Sequence, residues 1–519
     1  MKFANATKFN RKSGEAMAVR TTKITIETEG LLVIRQARTV VTWCPGCQAE
    51  VDVVLLGEDT AQLLNGLPTG PLHIWSPPEG PVRICLPSLM QPHNPTTFNK
   101  LKSRANARQQ RRRTMTVIDT VKKHIVLKRA AVVVAALCWP LCASAQAPYT
   151  LVDLGVVGPA GGPNHITNND ISVGSVQGSD GSDHAVIYFN QQTIDISKPG
   201  LGGANSLAYG NNPWGEVVGG ANIANVDPGK EDFCGFQALG IATATASCRP
   251  FLWWDGQMIA LPTLDHNHGN NGVAAAINDF GEVVGAAENT TPGCPTQNPT
   301  AYLNQYYQYK PVLWRDHAIE ELPTVGGDPV GTAVAINNHG EVVGMTGTCG
   351  PFNLGLGYYM NPLHAVLWEK DGKPIDLGSL GGNEQSLMGT AAKDLNSRGH
   401  VVGFSSLSDN VTINAFLWTR ETGKMKALAP ITGIANSMAI ALNDRDEVVG
   451  SSINSTFTAL TATIWKNGVP TNLNTLIPAN SSLYLVFGCS INSRGQILGL
   501  ATNLAGTEYH AYELIPVGE

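Results

Sequence analysis

The 519-residue sequence lacks the short motifs that mark several large enzyme classes. It contains no HExxH segment of a zinc peptidase, no GxSxG nucleophile turn and no phosphate loop, and no pair of carboxylates stands in a distinctive setting. Charged residues are also scarce, at 15% of the chain, whereas glycine occurs 55 times. Low charge and frequent turn residues favour a turn-rich all-β protein over a helical one.

Acidic residues are fewer than basic residues in the N-terminal part of the chain and outnumber them in the rest. Residues 1–145 contain 20 Lys and Arg against 9 Asp and Glu, a formal net charge of +11, and the remaining 374 residues carry a net charge of −17. A net negative charge repels the phosphate backbone of a nucleic acid. The composition therefore excludes nucleic acid as a partner of residues 146–519.

Residues 115–145 have the form of a secretory signal peptide. Basic residues precede an apolar run from Ala130 to Leu141, and an Ala-Ser-Ala end follows. The run is short for a membrane span of roughly 20 residues. We therefore expect the mature chain, residues 146–519, to be extracellular or periplasmic, without stable membrane insertion. An uncleaved anchor and a lipid-modified Cys142 are the alternatives.

Residues 1–98 look like a different protein, joined to the signal peptide by a basic linker at residues 99–114. The stretch from Thr22 to Leu89 resembles small cytosolic bacterial proteins that carry one CxxC and a degenerate helix-turn-helix, which implies a small α+β segment. A cytosolic unit does not fit ahead of an export signal. Either Met115 is the true start or an upstream reading frame has been joined on.

The sequence suggests no cofactor apart from zinc at the N-terminal cysteines. Cys44 and Cys47 form half of a zinc knuckle, and Cys85 is the candidate third ligand. A complete zinc site has four ligands, usually from two such pairs. The three cysteines therefore leave the predicted zinc site one ligand short.

A nine-residue pattern recurs from Tyr149 onward. It reads INDFGEVVG at Ile277–Gly285 and INNHGEVVG at Ile336–Gly344, and the copies are spaced 45 to 66 residues apart. This spacing is typical of propeller blades and other one-sheet repeats. The seven final glycines are Gly174, Gly219, Gly285, Gly344, Gly403, Gly450 and Gly499.

Each repeat predicts the four short strands of one propeller blade. An Ala-x-x-Ile-Asn strand and a Val-Val-Gly strand flank an Asn-x-x-Gly turn, and strands ending in Leu-Trp and Ile-Asp-Leu follow. The last repeat lacks its fourth strand, and the missing piece, Tyr149–Leu154, follows the cleavage site. We therefore expect an all-β, seven-bladed β-propeller closed by the N-terminal strand of the mature chain, in preference to a linear β-solenoid.

These motifs resemble the HAF-repeat family of extracellular proteins. The signatures Ile-Asn-x-x-Gly-x-Val-Val-Gly, His-Ala-Phe-Leu-Trp and Leu-Gly-Gly cover about residues 149–516, and the name-giving tripeptide survives in part as His184-Ala185, His364-Ala365 and Ala415-Phe416. The resemblance implies secretion and a repeat β fold, and it implies no defined activity. The repeated tryptophans and histidines are interpreted as packing and hydrogen-bonded structural residues.

Functional variation is expected where the repeats differ. Blades 2, 3 and 4 carry insertions between their second and third strands, which should emerge side by side on one face. Aromatic side chains in these insertions suit sugars or polypeptide, although they could instead cover neighbouring hydrophobic surface. The ligand-binding candidates are Tyr302, Tyr306, Tyr307, Tyr309, Tyr358, Tyr359 and Phe233.

The insertions also contain four of the five cysteines of the mature chain. Cys234 and Cys248 are predicted to pair within one loop, and Cys294 and Cys349 to join adjacent loops. Other pairings fit the sequence as well. Cys489 lies in an apolar strand and is predicted to be a buried free thiol.

The favoured function is a secreted, monomeric, non-catalytic module that binds an extracellular polysaccharide or a surface protein through the loops of blades 2 to 4. The alternative is a glycan hydrolase or lyase on the same scaffold, because propellers support both. No catalytic residue is assigned. The histidines of Asp265–Gly269 are interpreted as part of an enlarged turn.

Overall fold

The computed structural model contains two compact units, Met1–Leu141 and Cys142–Glu519. In the second unit the structure describes residues 147–158, 161–227, 233–234, 246–264, 271–292, 307–316, 318–353, 359–386 and 388–518. In the first unit it describes the backbone of a five-stranded sheet in the order β1-β2-β3-β5-β4. These strands are Arg20–Thr22, Ala37–Cys44, Ala49–Leu56, Ile74–Trp75 and Val82–Cys85, numbered in chain order.

The second unit is a seven-bladed β-propeller, as the repeats predicted. Seven antiparallel sheets of four strands follow one another along the chain. The first strand of each blade contacts the first strands of both neighbouring blades, and the contact between blades 7 and 1 completes the ring. These inner strands surround a central channel.

The four strands of each blade follow one another from the channel outward. Blade 1 contains β7 (Gly162–Ile166), β8 (Ser172–Gln177), β9 (Asp183–Phe189) and β10 (Gln192–Asp195), and blade 2 contains β11 (Gly202–Asn211), β12 (Val217–Val226), β13 (Ala246–Trp254) and β14 (Gln257–Ala260). Blade 3 contains β15 (Gly272–Ile277), β16 (Val283–Pro292), β17 (Tyr307–Arg315) and β18 (Ala318–Glu321), and blade 4 contains β19 (Val330–Ile336), β20 (Val342–Asn353), β21 (Tyr359–Trp368) and β22 (Pro374–Asp376).

Blades 5 to 7 follow the same order. Blade 5 contains β23 (Thr390–Leu395), β24 (Val401–Ser406), β25 (Ile413–Thr419) and β26 (Lys424–Leu428), and blade 6 contains β27 (Asn436–Leu442), β28 (Val448–Ile453), β29 (Leu460–Lys466) and β30 (Val469–Asn472), followed by a 3-10 turn at Leu473–Thr475. Blade 7 contains β31 (Leu483–Ile491), β32 (Ile497–Asn503), β33 (Tyr509–Pro516) and, from the start of the unit, β6 (Tyr149–Val156).

Strand β6 closes the ring at the predicted place. It pairs antiparallel with β33, and Leu151 lies opposite Leu514 while Tyr149 lies opposite Pro516. Blade 7 therefore combines the two ends of the unit. Pairing β33 in this way removes an exposed sheet edge.

The repeated asparagine links each blade to the next. The Asn278 Oδ1 accepts hydrogen bonds from the main-chain N–H groups of Phe280 and Glu282, both at 3.0 Å, and its Nδ2 donates to the Glu282 carboxylate at 2.7 Å. The same Nδ2 donates to the main-chain carbonyl of Asn337 in blade 4 at 3.1 Å. One amide therefore organises its own turn and bonds to the neighbouring blade.

This bond recurs around one end of the ring, at distances of 3.1 to 3.2 Å between Nδ2 and the carbonyl oxygen. The donors and acceptors are Asn212 to Asn278, Asn278 to Asn337, Asn337 to Asn396, Asn396 to Asn443, Asn443 to Asn492, and Asn492 to Thr167. We call this set the asparagine ladder. The separate side-chain bonds of Asn278 to Glu282 and of Asn337 to Glu341 explain why the pattern places Asn and Glu four residues apart.

The repeated tryptophans and histidines are structural, as interpreted from the sequence. Trp368 is fully buried, and its Nε1 donates to the carbonyl of Pro323 in the preceding blade at 2.8 Å. The Nδ1 of His184 lies 2.8 Å from a carboxylate oxygen of Asp195 on the fourth strand of the same blade. A buried aromatic ring between sheets and a paired histidine both hold the blade in place.

Candidate functional site: the insertion wall and the central channel

The structure places two of the predicted ligand-binding aromatics in the core. Phe233 is 3% exposed and Tyr309 is fully buried, and their rings meet edge to face with centroids 5.9 Å apart. A ligand on the outer surface cannot contact either ring, which corrects the sequence-based assignment for these two residues. They are buried because Phe233, from the sequence inserted in blade 2, packs against Tyr309 on strand β17 of blade 3.

For the other aromatic candidates, a role in ligand binding stays a prediction. Tyr302, Tyr306 and Tyr358 lie outside the described residues, and Tyr359 is the first residue of β21. Tyr307 begins β17, where it is half-buried and opposite Pro292.

The cysteines of the insertions hold the loops to the blades. The structure contains the Cys234–Cys248 disulfide, with the two Cα atoms 5.5 Å apart. Cys349 is also disulfide-bonded, and Cys294 lies outside the described residues. A disulfide restricts a loop that has little core of its own.

The insertions lengthen the central hairpins of blades 2 to 4. Strands β12, β16 and β20 have 10, 10 and 12 residues, whereas β8, β24 and β28 have 6 residues each. At a rise of about 3.3 Å per residue, the longer strands project roughly 13 Å or more beyond the shorter ones. One hydrophobic cluster joins their stems, and it includes Phe233, Cys234, Cys248, Tyr309, Met345 and Met360. We call these three joined hairpins the insertion wall.

A cavity of about 470 Å³ occupies the central channel beside this wall. Residues of all seven inner strands line it. Four lining residues also pack on the hydrophobic cluster of the wall, so the cavity and the wall share side chains. These are Tyr209, Val334, Met388 and Met438.

The inner strands differ from blade to blade at two positions that line the cavity, three and two residues before the asparagine of the ladder or its replacement, Thr167. Blades 3, 4 and 6 have apolar pairs there: Ala275-Ala276, Val334-Ala335 and Ile440-Ala441. The other four blades have Asn164-His165, Tyr209-Gly210, Lys393-Asp394 and Cys489-Ser490. The blade architecture itself therefore accepts apolar residues at both positions.

Lys393 and Asp394 bring two ionisable groups to the channel. Burial lowers the pKa of Lys393 to about 8 and raises the pKa of Asp394 to about 7. The Asp394 carboxylate accepts the main-chain N–H of Leu395 at 2.8 Å and that of Leu442, in the next blade, at 3.0 Å. Asp394 therefore joins two blades, and both of its oxygen atoms are engaged.

His165 lines the cavity as a neutral imidazole. Burial lowers its pKa, and its Nδ1 lies 2.8 Å from Asn211 Oδ1. The Asn211 Nδ2 donates to the Ile171 carbonyl, which fixes the amide orientation and makes Nδ1 the protonated nitrogen of His165. The Nε2 atom is then the hydrogen-bond acceptor of the ring.

Cys489 is a free thiol, as predicted, and it lies on the channel wall. Burial raises its pKa to about 12. A thiol with this pKa is protonated at neutral pH and is a poor nucleophile. Cys489 therefore lines the channel as a protonated thiol rather than as a reactive thiolate.

Solved structures of other proteins share a general likeness with this chain. One is a puromycin-hydrolyzing peptidase of Mycobacterium tuberculosis, with 11% identity, 69% of this chain and 52% of that chain covered, and a TM-score of 0.39. Another is an oligogalacturonate lyase of Vibrio parahaemolyticus, with 10% identity, 71% and 94% covered, and a TM-score of 0.40. A third is an oligogalacturonate lyase in complex with manganese, with 12% identity, 72% and 95% covered, and a TM-score of 0.42.

The chain thus spans about half the length of the peptidase. No protein-family model matches the sequence, and no curated protein matches it. Identities of 10 to 12% transfer no activity or substrate to this chain.

Among the residues that the structure describes, no group of three or more His, Cys, Asp or Glu residues is arranged to hold a metal ion. Cys44 and Cys85 end strands β2 and β5, and Cys47 lies outside the described residues. The described residues include no helix that is long and apolar enough to span a bilayer.

Proposed function

We propose that the propeller is a secreted, non-catalytic module that binds an extracellular polysaccharide or a surface protein against the insertion wall. The observation that carries the proposal is the shared core of the three hairpins. The disulfide, the Phe233–Tyr309 ring contact and the buried methionines hold the wall in one arrangement. A pre-organised surface loses less conformational entropy on binding than a free loop does.

A glycan array probed with residues 146–519 tests this proposal. We expect retention of a glycan, or capture by a surface protein, without turnover. Changing Tyr306, Tyr307 and Tyr358 together to Ala should abolish retention. Tyr509→Ala is the matched control, because Tyr509 is 50% exposed and belongs to blade 7, which has no long insertion. Equal retention by the triple variant would contradict the placement on the wall.

A glycan hydrolase or lyase is the second candidate, because the channel contains Asp394 with a pKa near 7. A carboxyl group with a raised pKa can serve as a general acid. Both oxygens of Asp394 already accept main-chain hydrogen bonds, so this group is held for structure rather than for proton transfer. New reducing ends or unsaturated products from any glycan on the array would support the enzyme and contradict the non-catalytic module.

A further inference from the structure

The exposed phenylalanines and tryptophans of the propeller are confined to one sector. Among the described residues there are four, and all of them lie in blades 1 to 3 at the end of the ring that carries the asparagine ladder. We call this end the ladder face, and the insertion wall projects from the opposite end. Single exposed apolar side chains are ordinary, but a group confined to one sector indicates an interaction site. We call the four residues the aromatic sector: Phe189, Trp214, Trp254 and Phe280.

Trp214 and Phe280 occupy a turn position at which the fold does not require an aromatic ring. The position follows the ladder asparagine by two residues. In blades 2 to 7 its main-chain N–H donates to the asparagine Oδ1 at 3.0 to 3.1 Å. The turn therefore uses the backbone of this residue and leaves its side chain free to vary. The other five blades have polar side chains there: Asn169, His339, Arg398, Arg445 and Arg494.

The indole ring of Trp214 is fixed at the boundary between blades 2 and 3. Its Nε1 donates to the main-chain carbonyl of Asp279 at 2.9 Å. This bond occupies the only polar atom of the side chain, and Trp214 is 39% exposed. Ring carbons are therefore what the side chain offers to a ligand. A ring that is already held in place loses little conformational entropy on binding.

Phe280 provides a second ring beside the first. It directly follows Asp279, whose carbonyl accepts the indole N–H, and it is 66% exposed. Among the described residues the two rings make no contact with each other, so each presents a face of its own. The Oδ2 atom of Asp279 accepts a hydrogen bond from Asn338 Nδ2 at 2.8 Å, which orients the carboxylate. Two aromatic faces and an oriented carboxylate therefore share one turn.

The charge of this part of the ladder face disfavours an anionic ligand. Asp255 and Asp316 are exposed there, and Asp279 is half-buried. Arg315 is the one lysine or arginine at the ladder end of blades 2 and 3 among the described residues, and its Nε lies 2.7 Å from the Glu282 carboxylate. A negative local field repels a polyanion. The arginines on the other half of the ladder face are also paired with carboxylates: Arg398 with Asp446, Arg445 with Glu447, and Arg494 with Asp170.

Two separate rings with an acceptor between them suit a sugar chain better than a protein surface. The core of a protein interface is a continuous apolar patch, whereas here Asp279 and the turn backbone separate the rings. A sugar ring has C–H groups on its face and hydroxyl groups around its edge. The face of an aromatic ring carries partial negative charge that attracts such C–H groups. Stacked sugar rings would also bring their hydroxyl groups to the carboxylate.

We propose that the ladder face binds a neutral polysaccharide at the aromatic sector. One sugar ring stacks on Trp214 and another on Phe280, and a hydroxyl group between them donates to the Asp279 carboxylate. The site lies at the opposite end of the ring from the insertion wall. It is therefore a second binding site, and it does not depend on the function proposed for the wall.

Native gel electrophoresis of the full chain, in gels that contain a dissolved polysaccharide, tests the site. The neutral polymers are hydroxyethylcellulose, laminarin, galactomannan and dextran, and the anionic polymers are carboxymethylcellulose and polygalacturonate. We expect at least one neutral polymer to slow the protein and the anionic polymers to leave its mobility unchanged. Trp214→Ala and Phe280→Ala should each weaken the affinity for the neutral polymer about tenfold, because each removes one stacking surface.

Matched variants separate loss of the site from misfolding. Tyr484→Ala removes a ring that is 39% exposed, as Trp214 is, from the end of blade 7 that lies away from the ladder, and it should keep full affinity. Phe280→Tyr keeps an aromatic face and should also keep its affinity. If Trp214→Ala does not fold, Phe280→Ala still tests the site, because most of the Phe280 side chain is exposed.

Four results would overturn the proposal. They are unchanged mobility with every neutral polymer, equal retardation by the anionic polymers, full affinity in both Trp214→Ala and Phe280→Ala, and loss of affinity only in the triple tyrosine variant of the insertion wall. The last result would assign the polymer to the wall. Because the wall and the ladder face are tested with different variants, either proposal can fail while the other holds.

Discussion

Asp183 is a fully buried carboxylate at a position that other blades fill with apolar side chains. It is the first residue of β9, and the matching residue is Cys248 in blade 2, Tyr309 in blade 3 and Ile413 in blade 5. Among the described residues neither carboxylate oxygen has a hydrogen-bond partner. Burial therefore raises the pKa of Asp183 to about 6.

This residue should make stability depend on pH in a defined direction. A carboxyl group whose pKa is higher in the folded state favours folding most below its unfolded pKa of about 4, and it loses that contribution as the pH rises through 6. Asp183→Leu should therefore raise the free energy of unfolding at pH 7 by about 1–3 kcal/mol and have little such effect at pH 4. Urea unfolding of both proteins between pH 4 and 7 measures the difference.

The control for this prediction is Glu384→Leu, because Glu384 is exposed. It removes an acidic side chain from the surface, so it should change the free energy of unfolding at pH 7 by less than about 0.5 kcal/mol. Asp183→Asn keeps the size and removes the charge, so it should flatten the same part of the pH profile. If the free energies of unfolding of the wild-type protein and Asp183→Leu differ by the same amount at every pH between 4 and 7, Asp183 does not titrate as its burial requires.

At the scale of the structural element, the Asn-x-x-Gly turn stabilises more than its own hairpin. In blade 4 the Asn337 side chain bonds to the N–H groups of His339 and Glu341, to the Glu341 carboxylate, and to the Asn396 carbonyl of blade 5. Removing it leaves several buried groups without partners, and such groups are costly. The turn therefore links two neighbouring blades through the hydrogen bonds of one side chain.

Asn337→Ala should reduce the free energy of unfolding by about 2–4 kcal/mol, because several buried hydrogen bonds are lost at once. Asn338→Ala, at the next position of the same turn, removes only solvent-exposed hydrogen bonds, those to Asp279 of blade 3, and should cost less than about 1 kcal/mol. Thermal and urea unfolding compare the two variants. If both variants lose a similar free energy of unfolding, the asparagine ladder stabilises the protein no more than an ordinary turn does.

The repeats predict the elements well and the site poorly, for physical reasons. The spacing of Asn, Gly and Trp is set by turns and sheet packing, so it predicts the blades and the closing strand. The burial of Tyr309 depends on its contact with Phe233 of the preceding blade, which local sequence does not encode. Lys393 and Asp394 interrupt an apolar strand directly before Leu395-Asn396, and aligning the seven inner strands position by position would have revealed them.

At the scale of the whole molecule, the ring is held closed by one pair of strands that comes from both ends of the unit. The inner strands of neighbouring blades contact each other all round, so each blade needs two neighbours to cover its sheet faces. The pairing of β33 with β6 completes blade 7 between blades 6 and 1. Loss of β6 would expose the edge of β33 and the apolar side chains beneath it.

A chain that begins at residue 157, and so lacks β6, should unfold at a lower temperature and associate through the exposed edge of β33. A peptide of residues 147–158 added in trans should restore a monomer and recover most of the lost thermal stability, because the ring supplies the complete pairing partner for this strand. Light scattering and thermal unfolding, with and without the peptide, measure both effects. A peptide with Leu151→Asp and Tyr149→Asp is the control, since Tyr149 belongs to a hydrophobic cluster and Leu151 packs against it. Rescue by the control peptide, or a monomeric truncated chain of wild-type stability, would show that the ring does not depend on this strand for closure.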